Sequence, residues 1–379
     1  MRVPSADPSR FYERQRDAIL GAVDRVLSSG QYILGSEVGK FEHAVAEFLD
    51  VPHAIGVASG TDALALALRA LNIGEGDAVI TSPFTFFATC SAILSVGARP
   101  VFADVEPDSF NLDPQSVELV LEDPDNQARG ADVRAVIPVH LFGLAADLKS
   151  LADLAGVHSL RIVEDAAQAF GSRYGSKQVG TIGDVGCFSF FPTKNLPGCG
   201  DGGLVVTADA EVAERVRSLR AHGQSERYHH VRAGVNSRLD AVQAAILGVR
   251  LQSVSDELDE RRAIAASYTA AFDDLSGVTC PRSEGTDASF NQYTIRVSAS
   301  VRDAFRAELL GHGVESAIYY PIPLHLQPAV EHLGYTRGDF PYAEQAAAEV
   351  VSLPIFPLME RAEIDHVVRA VRSSIKAVT

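Results

Sequence analysis

The sequence predicts an α/β protein, with a large domain built on a mostly parallel sheet flanked by helices and a smaller α+β domain after it. From about residue 53 to 165, short apolar runs alternate with amphipathic helical patterns, the β-α-β-α rhythm of such a sheet. The chain, at 379 residues, is also longer than one core commonly supports, and the rhythm changes near residue 250. The expected division is therefore 1–250 and 251–379.

Taken in order, Ser9 stands where it would cap a first amphipathic helix with Ile19, Leu20, Val23, Val26 and Leu27 on one face, ending at Gly30. A second helix begins near Glu37. The strand and helix pairs come next: HAIGVAS with DALALALRAL, DAVIT with FATCSAIL, PVFADV with PQSVELVL, VRAVIPVHL with DLKSLADLA, and then RIVED. After GLVVTAD and EVAERVRSLRAHG comes a helical stretch from about Ser237 to Asp274, too long for one ordinary helix, which predicts a bend and a link between domains. QYTIRVS, RDAFRAELLGHG, VESAIYY and MERAEIDHVVRAVRSSIK give the last part its own α+β pattern.

Composition excludes several classes. With 33 Lys and Arg against 49 Asp and Glu the formal charge is -16, and no basic run offers a nucleic-acid surface. Cys90, Cys187, Cys199 and Cys280 show no C-x-x-C spacing, as expected of reduced thiols. No stretch of about 18 apolar residues is present and the N-terminus lacks an apolar signal core, so the expected location is the cytoplasm, away from membranes.

Ligands of open α/β sheets gather at the carboxyl ends of strands, which directs attention to the residues just after each strand. After HAIGVA, Ser59-Gly60-Thr61 opens a helix, the form of a phosphate cradle of backbone N–H groups and hydroxyls, although a plain Ser or Thr cap is the commoner use of such residues. Asp165 ends RIVED, with Gln168 three residues on; a rigid, partly desolvated carboxylate suits a cationic ring nitrogen, or simply caps the next segment. Lys194 lies in the Gly-rich loop of FSFFPTKNLPGCGDGG, where desolvation would fit it to form a Schiff base, though most loop lysines are merely solvated. Gly198, Gly200 and Gly203 satisfy G-x-G-x-x-G but lead into a strand, so the dinucleotide reading fails. Of Phe86 and Phe87, one is expected to stack on a flat ring and the other to turn into the core. No H-E-x-x-H or other metal spacing occurs, and no metal is expected; His140 and His222 read as structural.

A phosphate cradle, an aromatic stacker, a rigid carboxylate and a Schiff-base lysine are together the fittings that pyridoxal 5'-phosphate requires, in the order found in PLP fold type I, the aspartate-aminotransferase fold. GQYILGSEVGKFE, SGTDALALAL, PFTFFAT, VEDAAQAFG, SFFPTKNL, GVNSRLDAVQAAIL and YYPIPLHLQPA resemble the nucleotide-sugar aminotransferases of the DegT/StrS type over nearly the whole chain. The resemblance implies amino transfer from glutamate to a C3 or C4 keto group of a nucleotide-activated sugar, in ping-pong order. It implies that Lys194 carries the cofactor as an aldimine and shuttles protons, that Asp165 pairs with the pyridine nitrogen, and that Gln168 lies near the 3'-oxygen. Phe86 would stack on the ring, and Ser189 would bind the phosphate beside Gly60 and Thr61. Asn236 would reach the phosphate of the neighbouring subunit, making a homodimer with shared sites. Tyr320, Arg238 and His325 are the substrate candidates, with His229 and His230 behind them. HGQSERYHHVRAGVNSRLD most resembles enzymes that aminate C3 of UDP-2-acetamido-3-keto-hexuronates. Tyr319 departs from the His, and Asp201 from the Glu, of many relatives. Two other functions stay open: sugar dehydration, whose relatives usually replace the lysine with His, and a regulator that binds the cofactor or a nucleotide sugar without turnover.

Overall fold

The computed structural model describes residues 1–122, 130–282 and 286–379. Helix α1 (Ser9–Ser29) closes on Gly30, whose left-handed backbone lets its amide bond to the Leu27 carbonyl. Ser9 is the first residue inside this helix and does not cap it, because the Asp7 carboxylate already accepts from both the Ser9 amide and hydroxyl. On the expected apolar face, Ile19 and Val26 are buried, whereas Leu20 and Leu27 are exposed. Helix α2 (Ser36–Leu49) follows.

The seven-stranded sheet draws on β1 (His53–Val57), β2 (Asp77–Thr81), β3 (Arg99–Phe102), β4 (Asp132–Ile137) and β5 (Arg161–Asp165). After the short strands β6 (Arg173–Tyr174) and β7 (Lys177–Gln178), which lie outside it, come β8 (Val185–Ser189) and β9 (Gly203–Thr207). Their order across the sheet is β1-β9-β8-β5-β4-β2-β3, and every pairing but the two that β9 makes is parallel. Because the crossovers are helical, including α3 (Gly60–Ala70), α4 (Phe87–Ser95) and α5 (Pro114–Glu122), both faces are covered and the strands read as continuous apolar runs. Ser59, Thr81, Ile137, Asp165 and Ser189 therefore all lie at or just beyond one edge of the sheet, the carboxyl edge.

The expected long helix is two, Ala241–Leu251 and Val254–Phe272, broken at Gln252 and Ser253. The second helix belongs to two cores. Val254 and Leu258 pack with α1, α2 and Phe188, while Ile264, Tyr268 and Phe272 pack with Tyr293, Phe305, Val351 and Val367. Val3 also enters that later core, tied by backbone bonds to Gly313 and Glu315. Val254 and Leu258 thus pack with residues before 250, and Val3 with residues after it, since hydrophobic burial rather than chain order assigns side chains to a core. Strand Val350–Leu353, antiparallel to Tyr293–Arg296, and helix Pro341–Glu349 carry no distinct sequence signal. Among the described residues no helix is long and apolar enough to cross a membrane.

Candidate active site

At the start of α3 the Ser59 side chain accepts from the Asp62 amide at 3.1 Å, so the plain cap is realised at Ser59. The preceding amides at Gly60 and Thr61 remain at the positive end of the helix. Gly60 faces Ser189: a Cβ there would come within 2.8 Å of the serine Cβ. A Cβ on Gly203 would meet the Ser59 carbonyl at 2.3 Å. Only glycine lets β9 close on the cradle, which accounts for the last glycine of the rejected motif. Ser189 ends β8 half-buried, its oxygen accepting weakly from the Phe191 amide at 3.3 Å and its proton left to donate. Helix-end amides and the Ser189 hydroxyl thereby adjoin one another, a set of donors of the kind that suits an anion.

Asp165 ends β5 and is buried. One oxygen accepts from the Thr89 hydroxyl at 2.8 Å and the other from the Ala167 amide at 3.2 Å. Burial pushes its pKa up, against those two bonds and the charge of Lys194. Among the described residues, both donors to this carboxylate are neutral, so a cationic ring nitrogen is the partner its environment asks for. Lys194 is half-buried, and loss of water around its ammonium lowers its pKa to about 8, partly opposed by the Asp165 charge. Roughly a tenth of the amine is then neutral at about pH 7, far more than for an ordinary lysine, which suits Nζ to act as nucleophile and proton carrier.

Phe86 is 60% exposed, its ring centroid 6.1 Å from that of Tyr320, while Phe87 packs partly against the core. An exposed ring three residues before Thr89, which bonds Asp165, is suited to cover a flat ligand. Gln168 is fully engaged in one direction: its oxygen accepts from the Phe142 amide and its nitrogen donates to the Tyr320 hydroxyl, both at 2.7 Å. Tyr320, expected to contact the substrate, is thus tied through Gln168 to the turn that follows β5, its own proton left to donate. The hydroxyl cradle, the carboxylate with its neutral donors and the exposed phenyl ring fit pyridoxal phosphate, and no group in the set opposes it.

The other predicted residues make no hydrogen bond to Asp165, Lys194 or Ser189 among the described residues. Asn236 is exposed, and Arg238 is half-buried with a buried Nε that has no hydrogen-bond partner among the described residues. His229 and His230 form strand β11 (His229–His230), paired with β10 (Gln224–Glu226) in an exposed hairpin. His325 is 2% exposed, bonded through Nε2 to Glu344 at 3.1 Å and packed edge-on to Phe340. The ring expected to line the substrate is therefore packed and paired within one subunit. Its neighbours in YYPIPLHLQPA suggest a surface, but the 3-10 turn Leu324–Leu326 carries the ring inward.

Two supports escape the sequence. Thr89, inside the TFFAT motif, supplies the bond to Asp165 from 76 positions away. Glu164, which precedes Asp165, is buried with His140; its oxygens accept from His140 Nε2 and from the amides of Gly180, Ile182 and Gly183. Burial pushes the Glu164 pKa up, but the His140 bond and these amides outweigh it and hold the carboxyl low. His140 Nδ1 accepts from the Ala146 amide, so the ring proton sits on Nε2, and its own amide bonds to the Asp165 carbonyl. The pair braces the strand end that carries Asp165. A charged Glu followed by Asp at a strand end is the only trace of this in the sequence.

Comparison with known proteins bears directly on this geometry. The family model described as DegT/DnrJ/EryC1/StrS aminotransferase matches residues 13–372. A "pleiotropic regulatory protein" of Geobacillus stearothermophilus is 43% identical over 98% of both chains. A UDP-N-acetyl-3-dehydro-alpha-D-glucosamine 3-aminotransferase of Acidithiobacillus ferrooxidans is 42% identical, again over 98% of both. Among solved structures, S. venezuelae DesV in complex with a ketimine intermediate superposes with a TM-score of 0.94 at 42% identity, over 98% of each chain.

Proposed function

The chain belongs to the DegT/DnrJ/EryC1/StrS aminotransferase family, and from that premise we propose that it transfers the amino group of glutamate to a keto group of a nucleotide-linked sugar. The observation that carries the reading is a buried Asp165 held by neutral donors close to a Lys194 whose pKa is lowered to about 8. Pyridoxal phosphate supplies, when bound, an electron sink that makes the carbon bearing the amino group acidic. Gly60, Thr61 and Ser189 would hold its phosphate, Asp165 its ring nitrogen, Phe86 one face of its ring, and Gln168 with Tyr320 its phenolic side.

The chain's own work is then positioning and proton transfer. Lys194 Nζ would take the proton from glutamate's α-carbon and hand it to the cofactor side, and would carry a proton the opposite way, from the cofactor side to the sugar carbon, when the ketosugar occupies the site. Glutamate leaves as 2-oxoglutarate before the sugar receives the amine, a ping-pong order. Asp165 would pair with the ring nitrogen and favour its protonated form through both halves.

Asn236 is read as reaching the phosphate of a second copy of the chain. Leu20, Leu27, Tyr32, Ile33 and Leu34, exposed in one subunit, supply apolar surface for that homodimer. Arg238, whose Nε is buried without a bond, is suited to a carboxylate or phosphate of the sugar nucleotide. A C3 ketone on a UDP-sugar is the favoured acceptor, from the likeness to the Acidithiobacillus enzyme. The four thiols are unpaired, in keeping with the reducing cytoplasm to which we assign the protein.

The regulatory name of one relative motivates a non-catalytic alternative. Lys194, with its lowered pKa beside Asp165, weighs against it, since binding alone needs no such amine. Lys194 weighs equally against the dehydratase reading. Purified protein should be yellow with bound cofactor and should lose that colour on adding glutamate; colour that no amino donor changes would favour the regulator.

A further inference from the structure

Ser237 stands between Asn236 and Arg238 and is fully buried. Its hydroxyl donates to Asp62 Oδ2 at 2.8 Å and accepts from the Ala58 amide at 3.2 Å, so both its donor and acceptor capacity are used. Those two partners flank the cradle. Ala58 precedes Ser59, and Asp62, in the first turn of α3, gives its amide to the Ser59 side chain. The Ser237 amide is in turn fixed to the Arg220 carbonyl at 2.9 Å, and Asn236 makes a β-bridge with Ala221. Exposure alternates along this stretch, with Asn236 exposed, Ser237 buried and Arg238 half-buried, so the flanking side chains face away from the side that holds the cradle.

We infer that Ser237 is a positioning residue that couples two cofactor sites. Through Asp62 and Ala58 it fixes the phosphate cradle of its own subunit, and through the backbone on either side it fixes Asn236 toward the cradle of the other. This rests on the shared-site homodimer proposed above. Removing the hydroxyl leaves an aspartate oxygen and a buried amide without their partner, which loosens both ends of the connection at once.

The test uses full-length mixed dimers, one subunit tagged, freed of cofactor and titrated with pyridoxal 5'-phosphate by visible absorbance. In a dimer pairing Ser237→Ala with the wild-type chain, both sites should weaken about tenfold, giving a single weak phase. One weak and one unchanged phase would overturn the coupling, because a purely local role disturbs only the mutated cradle. Ser237→Thr, which keeps the hydroxyl, should restore tight binding at both sites, and failure to do so would also count against it. If the alanine chain does not fold, Asp62→Ala removes the same bond from the other end and carries the same two outcomes. Asn236→Ala in a mixed dimer should weaken one site alone; if both stay tight, or the protein is a monomer, the shared-site reading falls and takes the coupling with it.

Discussion

The two sides of the candidate active site are built differently. The cofactor side stands at strand ends, where Asp165, Ser189 and the Gly60-Thr61 turn are fixed by the sheet and Lys194 by the loop between β8 and β9. The proposed substrate side consists of an exposed hairpin and a half-buried Arg238 with an unbonded Nε, while the exposed Asn236 is proposed to serve the cofactor site of a second copy. The buried groups of the first are bonded within one chain, whereas Arg238 in the second keeps a buried Nε without a hydrogen-bond partner among the described residues. Chemistry common to a family is thus placed on rigid elements, and selection among sugars is left to segments whose order depends on what binds.

The sharpest way to break this contrast is Lys194→Ala, which removes the proton carrier. Turnover should fall by at least about 10³-fold in a coupled 2-oxoglutarate assay, within the range general acid–base groups supply. Asp165→Asn keeps the shape and removes the charge; the loss expected from one charge-assisted bond is about ten- to a hundredfold in kcat, with the fold intact by circular dichroism. The lysine pKa of about 8 gives a sign as well. Only neutral Nζ attacks, so capture of pyridoxal phosphate by the cofactor-free protein should speed up with rising pH, roughly tenfold between about pH 7 and about pH 9 in stopped-flow absorbance. A flat profile over that window would show that burial does not govern the amine.

Smaller effects separate the two sides. Arg238→Met should raise KM for the sugar nucleotide about fivefold, leaving KM for glutamate and the cofactor affinity unchanged. A matching loss of cofactor affinity would move Arg238 to the other side of the comparison. Thr89→Val deletes one neutral hydrogen bond to Asp165 and should lower kcat about threefold, with a shift in the pH dependence of the cofactor's absorbance that a merely structural change would not give.

The same contrast explains which parts of the molecule are legible in the sequence. Strand ends are readable from apolar runs, and Asp165, Lys194 and the cradle follow from them, whereas Ser189 comes only from the family resemblance. Ser59 is an instance where two uses are written in the same letters, and only the 3.1 Å bond to the Asp62 amide assigns it to the cap. Thr89 and the His140–Glu164 brace depend on contacts between distant segments, which no local period encodes. His325 departs from its expected place because a motif gives a side chain's position along the chain but not its direction; packing against Phe340 and pairing with Glu344 decide that. Val3 in the C-terminal core likewise reflects burial that chain order does not announce.

The central claim, amino transfer from glutamate to a nucleotide-linked ketosugar, is tested most directly by mass spectrometry. Glutamate carrying a heavy amino nitrogen is incubated with the holoenzyme and a small panel of UDP- and dTDP-ketosugars. The heavy nitrogen should appear in a sugar nucleotide, with a UDP-3-ketosugar the favoured acceptor, and 2-oxoglutarate should form in equal amount. If the holoenzyme releases 2-oxoglutarate from glutamate while no sugar nucleotide of the panel gains nitrogen, the acceptor assigned to this site is contradicted; if glutamate itself is untouched, so is the donor.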